Sequence, residues 1–206
     1  MDFYKRNLPH WQPGGAEFFV TCRLAGSLPR DAVELLKQKR KKFRSKNKRS
    51  DVSPERKVKF EAELFKFYDQ LLDKPSSGPV WLSNDRAARI VMESLRYYDQ
   101  RYYKLYAFTI MSNHIHLVFR HLKDNYDVNF PVTEIMKSIK SFTGKECNKL
   151  LGRSGQFWQA ESFDRVIRDE EELENVIFYT LNNPVKAKLI SVWEDWPYSY
   201  YKPEFL

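Results

Sequence analysis

The stretch Tyr106–Arg120, YAFTIMSNHIHLVFR, sets the fold of this chain. From His114 onward it alternates, so His114, His116, Val118 and Arg120 share one side of a strand while Ile115, Leu117 and Phe119 share the other. A second β-rich run, Tyr103–Ile110, stops a few residues earlier, and so short a connection predicts an antiparallel hairpin. The apolar set then faces core helices and the histidines stand on the open face, their roots about 7 Å apart along the strand. Two imidazoles so placed can converge on one ion, or they can be a pair of satisfied surface histidines; both readings stand on this spacing. No Cys, Asp or His follows at an obvious ligand spacing. Val118 occupies the next position on the histidine face, His121 is expected beyond the strand end, and His10 lies near the N-terminus. The remainder of any metal site must come from elsewhere in the fold.

Working outward, Ala16–Leu24, AEFFVTCRL, reads as a first strand. Residues 30–73 read as a basic helical pair, its second helix opening at Ser53 and Pro54 with Val58, Ala62, Phe65, Tyr68 and Leu72 at helical spacing. The polar break between the two helices is expected to be mobile. A helix over Asp85–Tyr98 with Ala88, Val91 and Leu95 as its stripe precedes the hairpin. A helix from Thr133 to about Leu150, burying Ile135, Ile139 and Phe142, follows it. FWQAESFDRVIR, residues 157–168, is expected as the last strand. Asp169 with Glu172 forms a capping box that opens the last helix. The order predicts an α+β protein: a ferredoxin-like antiparallel sheet with helices on one face, in a single domain over 1–206 carrying a basic helical insertion at about 30–73.

Composition narrows the function classes. With 42% hydrophobic, 16% aromatic and 30% charged residues the chain reads as soluble and globular, and no apolar run has the length of a bilayer span or the form of a signal peptide. The expectation is a cytoplasmic protein without membrane contact. Cys22 and Cys147 are far apart and read as buried thiols. The formal charge of +8 is local: Lys37–Arg49 holds nine basic residues and no acidic one, leaving 26 basic against 27 acidic elsewhere. Such a block, with Arg40, Lys41, Lys42 and Arg44 at its centre, suits phosphate contacts on a nucleic acid, or else forms a solvated helical arm. Trp158, Gln159, Arg165 and Arg168 around the last strand offer a stacking ring and backbone-gripping cations, with core packing the competing assignment for Trp158.

On the last helix, Leu173, Val176 and Ile177 form the buried stripe, and Tyr179 and Asn183, four residues apart, lie together on its flank. Pro184 places Asn183 at the frayed end. Three stretches, MSNHIHLVF, GQFWQAESFDRVIRDEEEL and FYTLNNPVKAKLI, together with the opening LPHWQPGGAEFFVTCRLAGSLP, resemble the REP-associated tyrosine transposases of the HUH single-tyrosine superfamily. The resemblance spans most of the chain. It implies that His114 and His116 are metal ligands, that Tyr179 is the nucleophile, and that Asn183 stands where related insertion-sequence transposases carry a glutamine ligand.

The implied function is metal-dependent cleavage and rejoining of single-stranded, REP-type hairpin DNA through a 5′-phosphotyrosine, by a monomer or homodimer. Two imidazoles and a carboxamide leave the charge of a divalent ion, Mg or Mn, available to a phosphate. Two other readings compete: a catalytically inactive DNA-binding protein of the same fold, and a metal phosphodiesterase that activates water and dispenses with Tyr179.

Overall fold

The structure, a computed structural model, describes residues 3–5, 9–11, 15–46, 53–73, 78–122 and 131–205; the side chains of 3–5 and 9–11 and of several positions in the helical pair, Arg44 and Val58 among them, lie outside that description. The polar break expected between the two helices falls largely on residues outside it.

Five antiparallel strands build the main sheet: β3 (Glu17–Arg23), β4 (Tyr103–Ile110), β5 (His114–His121), β6 (Phe163–Ile167) and β7 (Ser199–Tyr201), in the order β6-β3-β5-β4-β7. Phe3–Lys5 (β1) and Pro9–Trp11 (β2) pair separately. The first four strands of the main sheet thus take the spatial order 4-1-3-2, the arrangement produced when a hairpin is inserted between two βα crossovers. Helix α3 (Asp85–Tyr98) makes the first crossover and α4 (Val132–Leu150) the second.

Both helices cover one face of the sheet. Phe18, Val20 and Cys22 of β3, Leu105, Phe108 and Ile110 of β4, and Ile115, Leu117 and Phe119 of β5 pack there against Ala88, Val91 and Leu95 of α3 and Ile135, Met136, Ile139 and Cys147 of α4. The Phe119 ring stacks on Phe18 at 5.8 Å and meets Tyr103 at 4.8 Å. A bulge between Leu105 and Ala107 resets the alternation of β4, so that Ala107 pairs with Val118 and Thr109 with His116 on the opposite face.

Three sequence expectations need correcting. β6 is confined to Phe163–Ile167, because Phe157 and Trp158 turn into the core and their backbone joins the sheet as an isolated bridge from Trp158 to Leu24. Phe142 is 55% exposed: the buried stripe of α4 runs instead through Thr143 and Gly144, where a Cβ would stand 3.3 Å from Phe157 Cβ, and Trp158 Nε1 donates to Thr143 Oγ1 at 2.9 Å. The histidine face is not open. Helix α5 (Glu170–Leu181) packs on β4 and β5, with Leu173, Val176, Ile177, Thr180 and Leu181 buried.

The start of α5 is firmly specified. Asp169 Oδ1 accepts the Glu172 N–H at 2.7 Å, Glu172 Oε2 accepts the Arg168 N–H at 3.0 Å, and the other Glu172 oxygen pairs with Arg165. Asp169→Ala leaves one helix N–H without its side-chain acceptor and is expected to cost about 1 kcal/mol, lowering the melting temperature by about 2–4 °C in a chain of this size. Thermal denaturation followed by circular dichroism reads it.

Residues 26–79 form a separate compact unit. Within it α1 (Arg30–Lys46) and α2 (Pro54–Asp73) pack through Leu36, Leu64 and Leu72, with Leu28 beside them, and Phe43 stacks on Phe60 at 3.8 Å. Ser53 Oγ accepts the Arg56 N–H at 3.3 Å, the cap read from the sequence. Among the described residues no helix is long and apolar enough to cross a membrane.

Candidate active site

The two histidines are fixed from behind. Asn113 Oδ1 lies 2.6 Å from His114 Nδ1, and Thr21 Oγ1 lies 2.9 Å from His116 Nδ1. The second contact follows from register, since Thr21 stands directly opposite His116 across β3 and β5. With each Nδ1–H donating to its oxygen, each Nε2 presents a lone pair, and the two Nε2 atoms are 3.2 Å apart. Lone pairs turned toward one another repel, and a cation held against both turns that repulsion into ligation. Two nitrogens at this separation, each about 2.1 Å from one ion, subtend about 100° at it, between the octahedral and tetrahedral angles.

Asn183 completes the arrangement. It is fully buried, its Nδ2 is 3.2 Å from His116 Nε2, and its Oδ1 has no hydrogen-bond partner among the described residues. A half-turn of the carboxamide exchanges the two atoms and brings the oxygen toward the imidazole nitrogens. An orphaned buried oxygen beside two imidazole lone pairs fits a divalent cation with mixed nitrogen and oxygen ligands.

Tyr179 lies against this group: its ring centroid is 5.8 Å from that of His116 and 6.2 Å, edge-on, from that of Phe19, whose own ring stacks on His116 at 5.4 Å. Its ring is half-buried, whereas Tyr103 and Tyr106 are buried. Burial, then the charge of Asp99, pushes the Tyr103 phenol well up, and burial with the Glu17 hydrogen bond does the same to Tyr106. Those two hydroxyls are committed, to Leu95 O at 2.5 Å and Glu17 Oε1 at 2.8 Å.

The residues expected to meet here from the sequence, His114, His116, Tyr179 and Asn183, are therefore neighbours. Pro184 does interrupt the helix, yet Asn183 begins a single turn, α6 (Asn183–Lys186), that continues the same path, with Lys186 N–H donating to Asn182 O and Ala187 N–H to Asn183 O, both at 2.9 Å. Sequence reading missed Thr21 and Phe19, whose signal is cross-strand position, Asn113, which directly precedes the ring it holds, and Lys186, whose Nζ is 3.4 Å from the Tyr179 hydroxyl. His121 belongs to β5 after all, on the opposite face, edge-on to Phe18.

The expected DNA-contact residues separate. Trp158 is 5% exposed in the core, so its ring packs and does not stack on bases. Gln159 is half-buried, its carbonyl held by Lys140 Nζ at 2.8 Å. Arg165 is paired with Glu172 and lies 5.7 Å over the Phe19 ring, while Arg168 is exposed. In the separate helical unit Lys41 and Lys42 are exposed and Arg40 is half-buried; Arg44 and residues 47–49 fall outside the described side chains. A cavity of about 500 Å³ runs along α4, lined by Lys137, Lys145, Asn148 and Gln156, away from the histidines.

The family profile of IS200-like transposases matches residues 81–183, half of the chain and the segment that holds both histidines, Tyr179 and Asn183. The chain belongs to the IS200-like transposase family. It is 32% identical over 100 residues to a Haemophilus influenzae protein assigned as a REP-associated tyrosine transposase, a match covering 45% of this chain and 56% of the relative. The chain thus spans about half the length of that curated relative. A REP-associated tyrosine transposase solved with a REP hairpin bound superposes with a TM-score of 0.53 at 16% identity, over 97% of this chain and 82% of the other, a likeness of fold. The α+β sheet architecture expected from the sequence is that of this transposase fold.

Proposed function

We propose that this IS200-like transposase is a REP-associated, metal-dependent enzyme that cleaves and rejoins single-stranded hairpin DNA in the cytoplasm, with Tyr179 as nucleophile and His114, His116 and Asn183 as metal ligands. The observation that carries this reading is the juxtaposition of the Tyr179 ring, at 5.8 Å, with an imidazole whose Nε2 is 3.2 Å from a second imidazole nitrogen and 3.2 Å from the Asn183 carboxamide.

When bound, Mg²⁺ or Mn²⁺ would polarise the scissile phosphate and offset charge on the departing oxygen. The protein's part is placement. Thr21 and Asn113 hold the imidazole tautomers that turn both Nε2 atoms inward, and Phe19 and His116 hold the Tyr179 ring. The Tyr179 oxygen attacks phosphorus, forming the tyrosyl O–P bond as the P–O3′ bond breaks. The phenolic proton passes to solvent and the departing 3′ oxygen takes one up. One phosphodiester replaces another, so the reverse step rejoins a strand without a nucleotide cofactor. Exposed Lys41 and Lys42, with Arg40 and Arg44 of the same block and Arg168 beyond β6, are proposed to add phosphate contacts of little sequence preference.

The test uses 3′-labelled single-stranded oligonucleotides that carry a hairpin with randomised flanks. With Mn²⁺, a denaturation-resistant adduct is expected, mapped by mass spectrometry to the peptide containing Tyr179. EDTA should abolish the adduct while leaving the protein folded. DNA binding without any adduct would return the protein to the inactive-binder reading, and cleavage that takes its new oxygen from water would make it a phosphodiesterase.

A further inference from the structure

Tyr179, Asn183 and Lys186 follow one another at i, i+4 and i+7, the spacing of a single helix face, and the α5–α6 path keeps that phase through Pro184. The third member of the stripe has no role in the chemistry described so far. Its Nζ lies 3.4 Å from the Tyr179 hydroxyl and 5.2 Å from the ring centroid, and the side chain is exposed. Its backbone is anchored by the 2.9 Å bond to Asn182 O.

We propose that Lys186 is a further catalytic residue, whose ammonium group contacts a non-bridging oxygen of the scissile phosphate as Tyr179 attacks; this rests on the DNA-cleavage reading above. The argument is one of distance and charge. The atom that forms the new bond must come within about 3–3.5 Å of phosphorus, so the non-bridging oxygens arrive in the space next to the Tyr179 oxygen. A nitrogen already 3.4 Å from that oxygen reaches them through small rotations of a four-carbon stem. The side chains assigned to the reaction, two imidazoles, a carboxamide and a phenol, are themselves uncharged, whereas a phosphodiester brings one negative charge and accumulates more as the new bond forms. A lysine is a compact cation with three donors, suited to an oxygen whose charge grows during the step. An ammonium group at this place acts where charge develops, in addition to any metal bound by the histidines.

The experiment compares wild type, Lys186→Met and Lys186→Arg on the oligonucleotide recovered as the adduct, made with either a phosphate or an uncharged methylphosphonate at the scissile linkage. On phosphate, Lys186→Met should slow single-turnover adduct formation about a hundredfold, with Lys186→Arg in between; on methylphosphonate the two proteins should differ by less than about threefold. Binding gives a readout independent of turnover. In the Tyr179→Phe background, Lys186→Met should weaken binding of the phosphate oligonucleotide about tenfold, and the difference should vanish on the uncharged linkage. Equal losses on both linkages would overturn the proposal and leave Lys186 as a residue that merely positions Tyr179. No loss on either would remove any role, while adduct formation by wild type would still uphold the cleavage reading. Absence of an adduct from wild type would remove that reading and this proposal with it.

Discussion

Tyr179→Phe is expected to eliminate the covalent adduct, a loss of at least about 10⁴-fold, while affinity for the same single-stranded DNA stays within about threefold and melting temperature within about 2 °C. The asymmetry follows from what the substitution removes. The ring keeps its edge-on contact with Phe19 and its contact with His116, so packing at the end of α5 is retained. The hydroxyl goes, and with it the long contact to Lys186 at 3.4 Å. Tyr103 and Tyr106 offer no substitute, because their hydroxyls are bound elsewhere and pushed to higher pKa by burial. The measurement is a labelled band that survives denaturing electrophoresis. A band of wild-type intensity in Tyr179→Phe would end the assignment of this residue as nucleophile.

His116→Ala should cost both activity and stability. The ring is fully buried, stacks on Phe19, and hydrogen-bonds or abuts Thr21 Oγ1, His114 Nε2 and Asn183 Nδ2. Its removal opens a cavity and takes a partner from Thr21 and Asn183, which are both fully buried, so a loss of about 2–5 kcal/mol is expected. The melting temperature should fall by about 5–15 °C. Below that temperature, calorimetric titration with Mn²⁺ should show the binding site gone, and adduct formation should drop to background. Folded His116→Ala protein that still formed adduct at the wild-type rate would contradict the ligand assignment, whatever its melting temperature.

The α+β class and the hairpin were legible because they rest on local periodicity, and so were the shared face of His114 with His116 on β5 and the four-residue spacing of Tyr179 and Asn183 near the end of α5. That the two pairs belong to one site was implied only by the resemblance to the REP-associated tyrosine transposases. What stayed hidden depends on chain segments meeting at a distance. Thr21 carries nothing in its own surroundings to mark it; it matters because the register of β3 sets it opposite His116, ninety-five positions along the chain. Trp158 was legible only as a choice between base stacking and core packing, because nothing local marks the close approach at Gly144 that draws it under α4. Phe142 was misread for the same reason, since that approach rotates the buried stripe away from it. Burial of the histidine face was invisible too, because the apolar stripe of α5 does not say which surface it will cover.

Pro184 has no N–H to return to the Thr180 carbonyl, so the backbone ladder lapses just past Tyr179, whereas His114 and His116 ride on a strand bonded along both edges. The two halves of the site therefore rest on different backbone support. On the proposed reading, a DNA end joined to Tyr179 would hang from a helix end that lacks one rung, while the imidazoles opposite it are braced by a neighbour strand on either side.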